Sequence, residues 1–134
     1  MNVETVAIVA AILFVGMAVF QIVAALGAPV GAMLYGGRAA KEDGRLPLAY
    51  RIGSAVGAVL LVLFAIVILT RAGVIGTSGD STLVVIVSWA IVAYMALNTP
   101  MNFMGKHWVE RYVFGGMTLM LVVLCAIVAA SGPA

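Results

Sequence analysis

Few side chains in this sequence could carry out chemistry, and the charged ones among them lie near one end of the chain's last apolar segment. His107, Glu110 and Arg111 form the only plausible acid–base cluster, with Arg51 as a fourth charged member. A zinc site needs about four ligands, whereas the chain has a single histidine and a single cysteine, Cys125. The motifs of phosphate-binding loops, serine hydrolases and zinc proteases are absent. We therefore expect no catalytic residue, no metal and no cofactor.

The same charged cluster also has a purely structural interpretation. A carboxylate close to guanidinium groups commonly forms an ion pair. The sequence therefore predicts that Glu110 pairs with Arg51 or Arg111 and anchors two helical hairpins to each other. A membrane enzyme that uses His107 and Glu110 ranks third among the functions considered below.

A second group of polar residues is uncharged and lies within apolar segments. Gln21 is in the first segment, and Asn98, Thr99 and Asn102 are at the end of the third. No ionisable side chain lies in the middle of any segment, which disfavours a proton-coupled transporter. An unpaired amide is costly in hydrocarbon, so we expect Gln21 to bond a hydroxyl or a free carbonyl of another helix. These four residues are the candidate lining of a polar vestibule.

Composition predicts the elements that position these residues. The 134 residues are 65% hydrophobic and 9% charged, with a mean hydropathy of +1.23. A soluble domain has about 25% charged residues. We therefore predict an all-α, polytopic membrane protein with one transmembrane domain over residues 1–134. The four expected spans are about residues 6–34, 52–70, 82–104 and 112–130.

Basic residues are distributed unevenly between the two ends of these spans. Six of the seven lie between the first and second spans or between the third and fourth. This bias predicts that both segments face the cytoplasm and that both termini lie outside it. We expect the membrane to be a bacterial inner membrane. The scattered charges form no phosphate-binding face, so the expected partners are lipids and other membrane subunits, not nucleic acid. The six residues are Arg38, Lys41, Arg45, Arg51, Lys106 and Arg111.

Two prolines mark segments that are similar to each other. The segment "ALGAPVGAML" at 25–34 aligns with "ALNTPMNFMG" at 96–105, so that Pro29 coincides with Pro100. Each proline is predicted to kink its helix, because proline lacks the N–H that the helix needs. The alternatives are tandem duplication of a two-helix hairpin and chance similarity between apolar segments.

Small residues are spaced for close packing between helices. Gly27 with Gly31, and Gly53 with Gly57, each form a G-x-x-x-G pattern. Helices in lipid gain little by hiding apolar surface from lipid, and they associate where small residues let their backbones approach. We expect these glycines to form helix-packing faces, within one chain or between chains.

A pattern of short motifs runs from the first span to the start of the fourth. It consists of Gln21, "GAPVG", "GG" at 36–37, "LP" at 46–47, "RIGSAV" at 51–56, an Asn-containing turn and "ER" at 110–111. This pattern resembles that of a family of small, functionally uncharacterised four-helix bacterial membrane proteins. The resemblance implies a four-helix topology and no particular activity.

Two functions compete on these observations. The first is a small integral membrane protein that acts through helix–helix association, as a homo-oligomer or as an accessory subunit of a membrane complex. The alternative is an uncoupled channel or small-solute facilitator, with a polar vestibule at the cytoplasmic ends of helices 1 and 3. The missing catalytic motifs favour both of these functions over that of an enzyme, which stays open as the third alternative.

Overall fold

The computed structural model describes all 134 residues and contains four long helices and no strands. The helices are α1 (Val3–Ala25), α2 (Leu48–Arg71), α3 (Thr82–Phe103) and α4 (Val109–Ser131). Each is long and apolar enough to cross a membrane, which confirms the predicted fold class and is compatible with a multi-pass membrane protein. The first turns of α4, Val109–Phe114, are π-helical.

Polar side chains cap the start of α1 and of α3. Asn2 Oδ1 accepts a hydrogen bond from the Thr5 amide at 2.8 Å. Ser81 Oγ accepts one from the Val84 amide at 3.3 Å. Both bonds satisfy amides that helix geometry leaves without a partner, and they fix where the two helices begin.

The two ends of the bundle differ in composition. Successive helices run in opposite directions, so both chain termini lie at one end, which we call the terminal end. There the Ala134 amide donates to the Ala72 carbonyl at 3.3 Å. The opposite end, which we call the basic end, holds the connecting segments 26–47 and 104–108. Six of the seven basic residues lie in these segments or in the first turns of the helices that follow them.

The bundle consists of two hairpins, because α1 packs mainly against α2 and α3 mainly against α4. Their shared core occupies the middle of the bundle and the half nearer the terminal end, and Phe14, Ile68, Ile91 and Leu121 are completely or almost completely buried there. Many large apolar side chains remain exposed on the outside, as in helices that face lipid. Alanines allow α1 and α2 to approach closely. The buried alanines of these helices are Ala7, Ala10, Ala11, Ala18, Ala24, Ala58 and Ala65.

The first helix ends at Ala25 rather than at residue 34 as predicted. Two short 3-10 turns follow it in the connecting segment. Pro29 therefore lies outside the helices, so the prediction that it kinks a helix is wrong. Pro100 does lie inside α3. The two prolines that mark the proposed repeat thus occupy different structural positions, and tandem duplication of a hairpin stays a prediction.

The early end of α1 also changes the role of the first G-x-x-x-G pattern. An added Cβ at Gly27 would lie 3.2 Å from Cζ of Arg51, and one at Gly31 would lie 2.8 Å from the Gly44 carbonyl oxygen. Neither glycine is in α1. The prediction that they form a helix-packing face is wrong, because Gly27 lies against the Arg51 side chain with a positive φ and Gly31 allows tight packing within the connecting segment.

Arginines at the basic end bind the carbonyl groups with which α1 and α3 terminate. The Nε–H of Arg51, in the first turn of α2, donates to the Ala25 carbonyl at 2.9 Å. The Nε–H of Arg111, early in α4, donates to the Phe103 carbonyl at 3.0 Å. Terminal carbonyls have no partner within their own helix, and a positive charge is favourable at that end of the helix dipole. Each arginine therefore ties together the two helices of one hairpin.

At the terminal end, Arg71 of α2 ties together the end of α4 and the segment that precedes α3. Its Nε–H and an Nη2–H donate to the Ala129 carbonyl of α4 at 3.2 and 2.9 Å. Its Nη1 donates to the Gly79 carbonyl at 2.9 Å and to Asp80 Oδ1 at 3.0 Å. Arg71 is only 7% exposed. The sequence indicated a lone basic residue at this end, whereas the structure shows the centre of a hydrogen-bond network.

Replacing this network should destabilise the bundle. In Arg71→Met, the buried carbonyls of Ala129 and Gly79 lose their donors, and each unsatisfied group costs about 1–3 kcal/mol. We expect the thermal midpoint in detergent to fall by roughly 5 °C or more. Far-ultraviolet circular dichroism, which reports helix content, measures this midpoint during heating. Arg38→Met is the matched control because Arg38 is exposed, and an equal loss of stability in both variants would contradict the assigned role.

Candidate functional site

A cavity of about 490 Å³ lies between α2 and α3 in the half of the bundle nearer the basic end. Its α2 lining runs from Gly53 to Phe64, and its α3 lining runs from Tyr94 to Asn102. The cavity therefore extends from the basic end to about the middle of the bundle.

The cavity is open to the outside of the bundle between α2 and α3. Val56 of α2 and Met101 of α3 line it and are 54% and 67% exposed. These two exposed side chains place an opening between α2 and α3. α1, α4 and the first connecting segment supply the remaining walls.

The structure brings three of the four predicted vestibule residues into this cavity: Gln21, Asn98 and Asn102. Asn98 and Asn102 are four residues apart and so share one face of α3. Thr99 does not line the cavity. Its side chain is buried, and its hydroxyl donates to the Met95 carbonyl of the same helix at 2.8 Å. One residue along a helix turns the side chain by about 100°, which takes Thr99 off the face that Asn98 occupies.

The second G-x-x-x-G pattern lines the cavity. An added Cβ at Gly53 would lie 3.5 Å from the Tyr35 hydroxyl, and one at Gly57 would lie 3.9 Å from Cδ of Gln21. The missing side chains on this face of α2 leave space in front of Gln21 and Tyr35. Both glycines therefore help to shape the cavity.

Gln21 lies beside this space without the partner that the sequence analysis expected for it. Its Oε1 is buried and accepts no hydrogen bond. Across the cavity, Asn102 Nδ2 donates to Thr118 Oγ1 at 3.4 Å, and the Thr118 hydroxyl donates to the Phe114 carbonyl at 2.9 Å. The expected bond to a hydroxyl of another helix is therefore not formed by the Gln21 side-chain oxygen.

Glu110 lies in the cavity lining as well, although its residue type is unusual for such a buried position. The π-helical turn that opens α4 turns this side chain inward, and Glu110 is only 4% exposed. Its Oε1 accepts a hydrogen bond from the Gly36 amide at 3.0 Å, while its Oε2 is buried and has no partner. The predicted ion pair with Arg51 or Arg111 is wrong, because both guanidinium groups bind helix carbonyls instead.

The segment Tyr35–Gly37 folds over the cavity and supplies the amide that holds Glu110. All three residues have positive φ, and Tyr35 at 53° is the one non-glycine residue in the chain that does. This conformation is strained for tyrosine and easy for glycine. The Tyr35 hydroxyl lies 3.2 Å from Ser54 Oγ, and its ring packs edge-on against Tyr50. These contacts hold the strained turn in place above Glu110.

His107 does not join Glu110 in an acid–base pair. Its ring stacks on Trp108, and its Nδ1 accepts a hydrogen bond from the Val109 amide at 3.1 Å. It is not part of the cavity lining. No group of three or more His, Cys, Asp or Glu side chains gathers anywhere in the chain to hold a metal ion. The predicted cluster of four charged residues is therefore divided: only Glu110 faces the cavity.

Sequence reasoning missed that Glu110 is unpaired and lines the cavity. One signal was present in Gly105, five residues earlier. An added Cβ there would collide with the Glu110 carboxyl group, so this position needs glycine if the carboxyl is to fold back against the turn. The contribution of Gly36 had no comparable signal, because these two residues are far apart in sequence.

The fold and the cavity together define a class: a four-helix bundle of apolar helices that holds amide and carboxyl side chains near one end. No protein-family model, no curated protein and no solved structure matches this chain. The family resemblance therefore rests on its short motifs alone.

Cysteine reactivity tests whether the cavity contains water. In lipid vesicles, Asn98→Cys should react with a charged, membrane-impermeant thiol reagent at least about tenfold faster than Leu97→Cys, because thiols react as hydrated thiolates. Leu97 is 70% exposed on the outer, apolar surface of α3. The native Cys125 is completely buried and provides the background.

The rate of labelling, followed by mass spectrometry, measures this difference. Equal rates at positions 97 and 98 would contradict a water-filled cavity. Adding the reagent to one side of oriented vesicles also reports which side the basic end faces.

Proposed function

We propose that this chain is a small integral membrane protein that binds a small polar solute and lets it cross the membrane without coupling to an ion. The observation that carries the proposal is the single cavity into which Gln21, Asn98, Asn102 and Glu110 all converge. Amide and carboxyl groups can replace the hydrogen bonds that a solute loses when it leaves water. The middle of each span has no ionisable side chain, which supports uncoupled movement.

A solute can cross only if the half of the bundle nearer the terminal end opens, because that half is tightly packed. Beyond the cavity, the bundle is filled by the buried side chains of Phe14, Ile91 and Leu121. The network of Arg71 then ties α2 to the end of α4. In this proposal the structure is the state open near the basic end, and solute release requires the contacts of Arg71 with Ala129 to break.

We also propose that the basic end faces the cytoplasm and that the membrane is a bacterial inner membrane. The support is the excess of basic residues at that end, since cytoplasmic segments are rich in lysine and arginine. Both termini would then lie outside the cytoplasm. Solute binding in the cavity would occur from the cytoplasmic side.

A flux assay with glycerol as the probe tests the proposed facilitator. Proteoliposomes with the parent chain should take up glycerol faster than empty liposomes, as followed by stopped-flow light scattering. Asn98→Leu combined with Asn102→Leu should return uptake to within about twofold of the empty-liposome rate, because apolar groups offer no hydrogen bonds to the solute.

The matched control is Leu83→Phe combined with Leu97→Phe. These positions are also on α3 but are 71% and 70% exposed on its outer surface. This variant should keep the parent rate. Parent proteoliposomes that behave like empty ones would overturn the proposed facilitator.

A second candidate function is association with another helix, and a shallow groove on the outside of the bundle favours it. The groove lies between α1 and α2, has a volume of about 380 Å³, and is lined by apolar residues only. Ala25, Ala55 and Ala58 form its floor, where small side chains permit close approach of another backbone. We propose that a helix from a second copy of the chain occupies it, and an accessory subunit of a larger complex is the other occupant to test.

Filling the groove should weaken this association. Ala55→Leu places a bulky side chain on the exposed floor, whereas Ala93→Leu makes the same change on the exposed surface of α3. Native mass spectrometry in mild detergent should show oligomers for the parent and Ala93→Leu, and mostly monomers for Ala55→Leu. A parent chain that is strictly monomeric and co-purifies with no other subunit would contradict this second function.

A further inference from the structure

We propose that the solute bound in the cavity is an organic cation, specifically a primary ammonium compound with a small apolar body. This inference rests on the proposed function, because it names the class of solute that the same cavity binds. It follows from the unpaired carboxyl oxygen of Glu110, the absence of basic side chains from the cavity lining, and the apolar residues that line the rest of the cavity.

The first step is the unpaired oxygen. Glu110 Oε2 is buried without a hydrogen-bond partner, in a residue that is 4% exposed and lines the cavity. An unsatisfied buried carboxyl oxygen destabilises a protein unless a donor reaches it. The Gly36 amide occupies Oε1 and orients the carboxyl group, so that Oε2 remains for a ligand. An N–H or O–H group of the solute would then satisfy Oε2.

The second step is charge. None of the residues that line the cavity is Lys, Arg or His. Arg51 and Arg111 at the basic end bind helix carbonyls with their Nε–H groups, and neither forms an ion pair with Glu110. No basic side chain in the cavity lining therefore competes for Glu110, whereas an anionic solute would meet its negative charge. A carboxylate in low-dielectric surroundings strongly favours a cationic partner.

The third step is the number of acceptors. An ammonium group has three N–H donors. Besides Glu110, the residues Gln21, Asn98 and Asn102 place side-chain amide oxygens in the same cavity, and none of these oxygens accepts a hydrogen bond from the protein. The cavity therefore offers enough free acceptors for all three N–H groups of a primary ammonium compound.

The fourth step is the apolar wall of the cavity, which indicates that the part of the solute beyond its ammonium group is apolar. Leu60 and Phe64 of α2 face the cavity together with Tyr94 and Met101 of α3. The rings of Phe64 and Tyr94 lie 5.5 Å apart in an edge-on arrangement. An apolar body packs against this wall, and the exposed rim between α2 and α3 admits it. The wall thus selects amphipathic ammonium compounds over fully hydrated cations.

Three probes with one carbon skeleton test the charge requirement. Isopentylammonium, isopentyl alcohol and isovalerate are cationic, neutral and anionic, and they differ only in the polar group. Each is titrated calorimetrically into the full chain in detergent, against a blank of detergent alone. We expect isopentylammonium to bind at least about tenfold more tightly than the alcohol, since a hydrogen bond to a charged group is worth more than a neutral one. Isovalerate should not bind measurably.

Two variants assign the effect to the carboxyl group. Glu110→Gln keeps an acceptor for the Gly36 amide but removes the charge, so isopentylammonium affinity should fall by about tenfold or more. Asn98→Asp adds a second carboxyl group to the cavity and should increase that affinity, which provides a test even if Glu110→Gln does not fold. Leu97→Phe, on the outer surface of α3, is the control and should bind like the parent.

The outcomes separate this inference from the proposed function. Equal binding of the alcohol and the ammonium compound, or an unchanged affinity in both cavity variants, would overturn the cation proposal. If no probe binds but the parent transports glycerol, the cation proposal fails and the facilitator stands. If no probe binds and glycerol uptake equals that of empty liposomes, both proposals fail.

Discussion

Carbonyl groups at helix ends need donors where there is no water, and the arrangement of this bundle depends on how arginines supply them. Pro29 removes the amide that would serve the Ala25 carbonyl, and Arg51 replaces it. In the same way, Arg71 donates to the Ala129 carbonyl, which lies four residues before Pro133. A guanidinium group suits this task because it offers several donors in fixed directions and remains charged. These bonds fix which helix ends meet, and therefore where the chain packs tightly and where it leaves space.

The cavity is a consequence of this use of the arginines. Because Arg51 and Arg111 bind carbonyl groups, neither of them forms an ion pair with Glu110. Its carboxyl group is held only by the Gly36 amide, in a strained turn that folds over the bundle. Glycines on the facing side of α2 leave room rather than fill it. The arginine bonds that cap the helix ends therefore also leave the carboxyl group in the cavity without an ion-pair partner. Backbone strain like that at Tyr35 is typical of a functional site.

Composition was sufficient to predict four apolar helices, because hydropathy over about 20 residues depends little on tertiary contacts. The grouping of Gln21 with Asn98 and Asn102 was also predictable from their place near one end of antiparallel spans. The end of α1 was predicted too late because apolar sequence continues beyond Ala25, although Gly27, which has a positive φ, and Pro29 both favour a helix end there. The partners of charged residues depend on side-chain geometry across distant segments, which spacing does not reveal.

The proposed function requires that the amide groups in the cavity face water rather than lipid or packed side chains. Water-edited solid-state NMR of the unmodified protein in lipid measures this directly, by following magnetisation transfer from water. We expect the side-chain amides of Gln21 and Asn98 to receive magnetisation nearly as fast as the amides of the exposed segment around Lys41. Transfer to these side chains as slow as to the amide of Ile91, which is buried in the core, would contradict it.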